Sequence, residues 1–159
     1  MREKARKNLN RIYDHVWAVY DRDSFPDEDF NNSIFKGKAK NIKCAWSNEA
    51  FELWYVLHFQ YRNTGMSRED YKKCIESEIN KRISSQKKKT PKFTYKKNDP
   101  NMYNILQEYG DEKQAIAWAK MLDNTHNNSK YSTHDPCTKV YELIEKLNRI
   151  KNKNSDNRS

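Results

Sequence analysis

The chain has 159 residues, a third of them charged, with 31 Lys and Arg against 22 Asp and Glu for a net charge of +9. That length supports one domain with a core of its own, and the charge favours anionic partners, nucleic acid first among them. The three cysteines, Cys44, Cys74 and Cys137, lie far apart with no CxxC pair. This argues against a disulfide framework or a zinc ribbon and for a reducing, cytoplasmic setting. No run approaches the ~18 apolar residues that span a bilayer, and no apolar stretch follows the basic Met1 to Lys7 as it would in a signal peptide.

Good helix formers up to Tyr13 predict a basic helix. It leads into Val16-Trp17-Ala18-Val19-Tyr20, a continuous apolar run of the kind that fits a strand covered on both faces of a parallel sheet. The run ends in Asp21-Arg22-Asp23. Ligands of open α/β sheets sit at the carboxyl ends of strands, and residues two apart in extended backbone point the same way. Asp21 and Asp23 are thus placed to face one hard cation such as Mg²⁺; they equally suit a polar turn that ends a strand. Pro26 fixes a loop. Residues 27 to 40 read as a helix, with Asp27, Glu28 and Asp29 in its first turn where acid suits the helix dipole. Asn41 to Trp46 reads as a second strand, so the unit is βαβ with parallel strands.

From Ser47 to Phe59 a helix is expected, capped by Ser47 or Asn48. Phe51, Leu53, Trp54, Tyr55, Val56, Leu57 and Phe59 cover nearly its whole circumference at ~100° per residue, so it should be buried. Glu52 sits in that apolar surface, where a carboxylate needs a partner, a proton or a metal; a salt bridge to a distant base and a site role both satisfy it. His58 reads as a core histidine bonded to backbone. Residues 67 to 83 form a further helix capped by Ser67, with Tyr71, Ile75 and Ile79 as its stripe.

The segment 81–97 carries Lys81, Arg82, Lys87, Lys88, Lys89, Lys92, Lys96 and Lys97 with no acid, and interleaves Phe93 and Tyr95. Basic residues with aromatics suit phosphate binding and base stacking; a solvated surface loop accounts for the same composition. Helices follow from Asn98 to Tyr109, from Asp111 through Leu122, and from Lys139 to Arg149, with a polar loop over Asn124 to Asp135. Residues 1–150 make one domain with a basic insert, and 151–159 a polar tail of disordered composition.

Three blocks together resemble the RloB-like family of the Toprim group. The first is the strand with Asp21-Arg22-Asp23. The second is Ala45-Trp46-Ser47-Asn48-Glu49-Ala50-Phe51-Glu52-Leu53-Trp54 with Leu57-His58-Phe59, similar to that family's "SNPxFExW…LHF", with Glu49 where proline is usual. The third is Asp135-Pro136-Cys137-Thr138-Lys139-Val140-Tyr141-Glu142-Leu143, similar to "NPxTxVxxLV". The resemblance implies an α/β, Toprim-like (Rossmann-like) core with a short parallel sheet and many helices.

It also implies Mg²⁺ (or Mn²⁺) on Asp21 and Asp23, and phosphodiester hydrolysis on DNA or RNA, tRNA included. The setting implied is prokaryotic defence against phage or foreign DNA alongside other defence-system proteins. Asp21, Asp23 and Glu52 would be catalytic, and Ser47, Asn48, Phe51, Glu52, Trp54 and His58 are the signature. Arg22, Lys87, Lys88, Lys89 and Lys92 would bind nucleic acid. The chain departs from the pattern in one large respect besides Glu49: the first Toprim strand and its glutamate, of the form "EGxxTE", have no counterpart before Asp21. The alternative to a nuclease is therefore a catalytically incompetent module that binds nucleic acid or a partner.

Overall fold

A computed structural model describes residues 13–86 and 90–156 of the chain. The basic helix expected before Tyr13 and the three lysines Lys87, Lys88 and Lys89 lie outside them.

The centre of the molecule is a βαβ unit. Strand β1 (Trp17–Asp21) pairs in parallel with β2 (Lys43–Asn48), in register from Trp17 opposite Lys43 to Asp21 opposite Ser47. Helix α1 (Asp27–Ala39) joins them, with its acids in the first turn, Lys36 and Lys38 in the last, and Phe30 and Ile34 buried. Gly37 lets α1 close on the strand, since a Cβ there would stand 2.5 Å from Cys44 Sγ. Phe30 meets Trp46 edge-on at 5.5 Å, and with Ile34 and Cys137 these form a small core of their own.

The strand expected to be covered on both faces is instead the edge strand. The sheet order is β1-β2-β3, and Val19 is 49% exposed. It is β2 that is enclosed, with Ala45, Trp46, Ser47 and Asn48 all buried. The third strand, β3 (Cys137–Thr138), has no periodic signal in the sequence and runs antiparallel to β2, which makes the sheet mixed.

That strand corrects the reading of Ser47 and Asn48 as helix caps. Ser47 pairs with Thr138 and Asn48 with Cys137, so both residues are held extended in β2. Tertiary pairing overrides their capping preference. Helix α2 (Glu52–Val56) is correspondingly short, and turns carry the chain on to Phe59. The burial inferred from its apolar circumference holds: Leu53, Trp54, Val56 and Leu57 are all buried.

The main core lies between α2 and the helices that follow. Ser67 caps α3 (Arg68–Ser85) by accepting from Asp70 N–H, and Tyr71, Ile75, Ile79 and Ile83 form its buried stripe. Fully burying an aliphatic side chain of this size stabilises by about 1.5–3 kcal/mol, so such a stripe fixes α3 firmly against α2. Helix α4 (Met102–Tyr109) begins three residues after Asp99, later than expected. Asp111 caps α5 (Glu112–Asn124) through Gln114 N–H. The loop after α5 is less solvated than its polar composition suggests: it contains a 3₁₀ turn (Tyr131–Thr133), and Ser132 and His134 are buried.

Helix α6 (Val140–Asp156) runs past Lys151, where the composition points to a disordered tail. Asp123 ties α5 to its start, accepting from Lys139 Nζ at 2.5 Å and Tyr141 OH at 2.7 Å. All three cysteines are free thiols. Among the described residues, no helix is long and apolar enough to cross a membrane.

Candidate functional site

Asp21 is the last residue of β1. The chain leaves the strand at once but stays tied to the end of β2: Arg22 N–H donates to Ser47 O at 2.8 Å, and Asp23 N–H to Glu49 O at 3.1 Å. Asp23 takes a left-handed backbone, φ 52°, a conformation that aspartate adopts more readily than most residues. The two carboxylates are therefore not aligned by the pleat of one strand, as their spacing suggests. A turn brings them together instead, and they meet on one cation. Arg68 Nη2 lies 2.8 Å from Asp21 Oδ2 and 3.2 Å from Asp23 Oδ1. The cluster is half open to solvent, with side-chain exposures of 31% for Asp21, 46% for Asp23 and 31% for Arg68.

Arg68 is not legible as a site residue in the sequence. It is the first residue of α3, placed there by the Ser67 cap, and it stands 47 positions from Asp21. Nothing local to Ser67-Arg68-Glu69-Asp70 names the acids it meets. Charge is mixed around it. Burial raises the Tyr71 phenol above its ordinary range, the carboxylates of Asp135 and Glu49 push it further, and Arg62 opposes them.

Arg22, expected on nucleic acid, turns inward. Its guanidinium pairs with Asp27 at the start of α1 and donates to Ser132 O at 3.0 Å. Ser132 O also accepts from Asn48 Nδ2 at 2.9 Å, while Ser132 N–H and Oγ meet the Asn31 side chain. The 3₁₀ turn is thus the joint that fixes the ends of β1 and β2 relative to α1. Ser47 completes it through a 2.7 Å hydroxyl contact with Thr138. Asn48 Oδ1 is buried without a partner among the described residues.

Glu52 is 6% exposed, and its Oε1 accepts from Tyr95 OH at 3.0 Å. Burial, then the Glu52 charge, pushes the Tyr95 phenol well above its usual range. No hydrogen bond or ion pair among the described residues joins Glu52 to Asp21 or Asp23. His58 is buried, its Nδ1 is 2.9 Å from Trp54 O, and its ring meets Trp54 edge-on at 4.9 Å. A carbonyl only accepts, so that contact places the ring proton on Nδ1. Burial holds its pKa below 6.5 and the imidazole neutral. Phe51 packs edge-on against Tyr55 at 5.3 Å. Of the signature residues, Ser47 and Asn48 are thus tied into the end of β2 beside the acid pair, while Trp54 lies in the main core with Phe51 and His58 packed around it.

The part of the basic segment around Phe93 and Tyr95 is docked. Asn80 bonds Phe93 twice, accepting from its N–H at 2.8 Å and donating to its carbonyl at 2.9 Å; Glu76 accepts from Tyr95 N–H at 2.8 Å. Phe93 and Tyr95 are partly buried and pack against the main core, so these aromatics anchor the segment. Lys92 remains exposed and joins Lys73 and Lys81 along an open groove of about 660 Å³ beside α3.

Fold and site together define an α/β protein with an acid pair at the carboxyl end of a parallel edge strand. A model of the RloB-like protein family matches residues 1–147, and the chain belongs to that family. Comparison with curated proteins and with solved structures finds no match.

Proposed function

We propose that the chain is a divalent-cation-dependent nuclease module, hydrolysing phosphodiesters of DNA or RNA, tRNA included, in cytoplasmic prokaryotic defence. The observation that carries this reading is the convergence of the Asp21 and Asp23 carboxylates on a single cationic nitrogen. Two hard oxygen donors held to one point suit Mg²⁺ or Mn²⁺, and Mg²⁺ commonly takes one or two carboxylates and keeps several waters. Bound there, a divalent cation supplies charge stabilisation at phosphate and an activated water. Asp21 and Asp23 would hold it, the frame of Ser47, Asn48 and Ser132 would fix their distance, and Lys73, Lys81 and Lys92 would hold the nucleic-acid backbone.

A second reading is a recognition module that binds nucleic acid or a defence-system partner without cutting. It is favoured by one observation: among the described residues, no cluster of three His, Cys, Asp or Glu side chains is placed to hold a metal. Glu52, the acid the family signature offers, is occupied by Tyr95. The test is the purified chain with Mg²⁺ or Mn²⁺ on single-stranded DNA, duplex DNA and tRNA, beside Asp21→Asn. Metal-dependent cleavage lost in the variant supports the nuclease; retained binding with no cleavage in either supports the recognition module.

A further inference from the structure

We propose that Arg68 is a phosphate-positioning residue. It pairs with both Asp21 and Asp23, and it passes to a substrate phosphate when the two carboxylates take up a divalent cation. This rests on reading Asp21 and Asp23 as the cation site.

Three features of Arg68 point this way. Its fork is poorly used where it stands. One nitrogen, Nη2, carries both carboxylates, whereas a guanidinium offers five donors matched to two-point contact with carboxylate or phosphate. Its Nε is buried with no partner among the described residues, and a buried donor left unmade costs free energy. Its location is also unfavourable for the helix. A cation in the first turn of α3 meets the positive end of the dipole, so helix stability does not explain an arginine there; a phosphate drawn to the same place meets that end with the right sign. Finally, the pair is at the surface, with 31% of the Arg68 and Asp21 side chains exposed. Exposed ion pairs are weak, and a long side chain rooted on a capped helix exchanges partners without opening the core.

Charge gives the exchange its direction. Two carboxylates and one guanidinium carry a net single negative charge, which repels a phosphodiester. With a divalent cation on the carboxylates, the same three groups carry a net single positive charge, and the displaced guanidinium has one anionic partner to accept. Cation and phosphate therefore bind with positive coupling, and linkage makes the effect reciprocal.

The experiment is Mn²⁺ titration of the full chain, read by the electron paramagnetic resonance of free Mn²⁺, with and without a short phosphorothioate single strand that resists cleavage. In the wild type the strand should tighten Mn²⁺ binding about tenfold, within the usual range of coupling between sites. In Arg68→Gln, Mn²⁺ should bind more tightly than to the wild type in the absence of the strand, and adding the strand should change little. Arg68→Lys, which keeps the charge, should restore part of the coupling. Melting curves matching the wild type establish that each variant is folded. Equal Mn²⁺ affinity in wild type and Arg68→Gln, with the coupling intact in both, overturns the role of Arg68 and leaves the cation site standing. Mn²⁺ binding indifferent to Asp21→Asn overturns the cation site itself, and the exchange with it.

Discussion

Removing the Tyr95 hydroxyl tests whether the basic segment is a docked part of the fold. In Tyr95→Phe the ring keeps its packing against Tyr55, at 6.4 Å between centroids, and the group removed is the 3.0 Å donor to Glu52 Oε1. Glu52 is 6% exposed, so water does not readily replace that donor. A hydrogen bond to a charged group contributes about 1.5–3 kcal/mol. For a chain of this size each kcal/mol shifts Tm by about 2–4 °C, so Tyr95→Phe should melt roughly 3–12 °C below the wild type. Glu52→Gln should cost less, because its amide oxygen still accepts from the phenol. The double variant should show a coupling of about 1 kcal/mol or more, as residues in direct contact do. Calorimetry or circular dichroism on the four proteins measures the cycle. Tyr95→Phe melting with the wild type, and a cycle that closes to zero, would refute the docking of the segment through Glu52.

Asn80→Ala removes both bonds to the Phe93 backbone; it should cost about 1–3 kcal/mol and speed tryptic cleavage at Lys92, followed by mass spectrometry. Changing Lys73 and Lys92 to alanine should weaken duplex DNA binding and flatten the slope of log K against log salt by about 0.9 for each phosphate no longer neutralised; Lys87, Lys88 and Lys89 changed together should act in the same direction, and an unchanged slope would make these lysines solvated surface. Burial lowers the pKa of both His58 and His134, so their unfolded forms bind protons that the folded forms resist. Their contribution is intact above about pH 6.5 and declines as pH falls below it. Denaturant unfolding between pH 7 and 5 should therefore show a shallower loss for His58→Gln than for the wild type.

The βαβ unit is legible in the sequence because both strands and α1 carry their signals locally: an apolar run, a proline stop, acid in a first turn, and a second apolar run. Helix α3 is legible for the same reason, from Ser67 and the Tyr71, Ile75, Ile79 stripe. What stays hidden depends on pairing between distant segments. Strand β3 is two residues long and exists only because Ser47 and Asn48 lie beside it, and the same pairing removes those residues from the helix their composition suggests.

The acid pair shows the division within one site. The position of Asp21 follows from the strand pattern, but Asp23 reaches the same point through a left-handed turn, and its cationic partner comes from the start of α3. Arg22 looks like a free cation in sequence and is held by Asp27 and Ser132, the second of which lies 110 positions away. Glu52 is legible as a buried carboxylate needing a partner; that the partner is Tyr95, from the basic segment, is not.

The measurement that bears most directly on function is the stoichiometry of divalent-cation binding at the end of β1. Isothermal titration of the full chain with Mn²⁺, beside Asp21→Asn and Asp23→Asn, isolates the pair from any downstream chemistry. The expected result is one Mn²⁺ per chain in the wild type, with affinity reduced at least tenfold by either substitution and no loss of fold by circular dichroism. Binding of equal strength in all three proteins, or none in a wild-type chain shown to be folded, would contradict the assignment of Asp21 and Asp23 as a cation site.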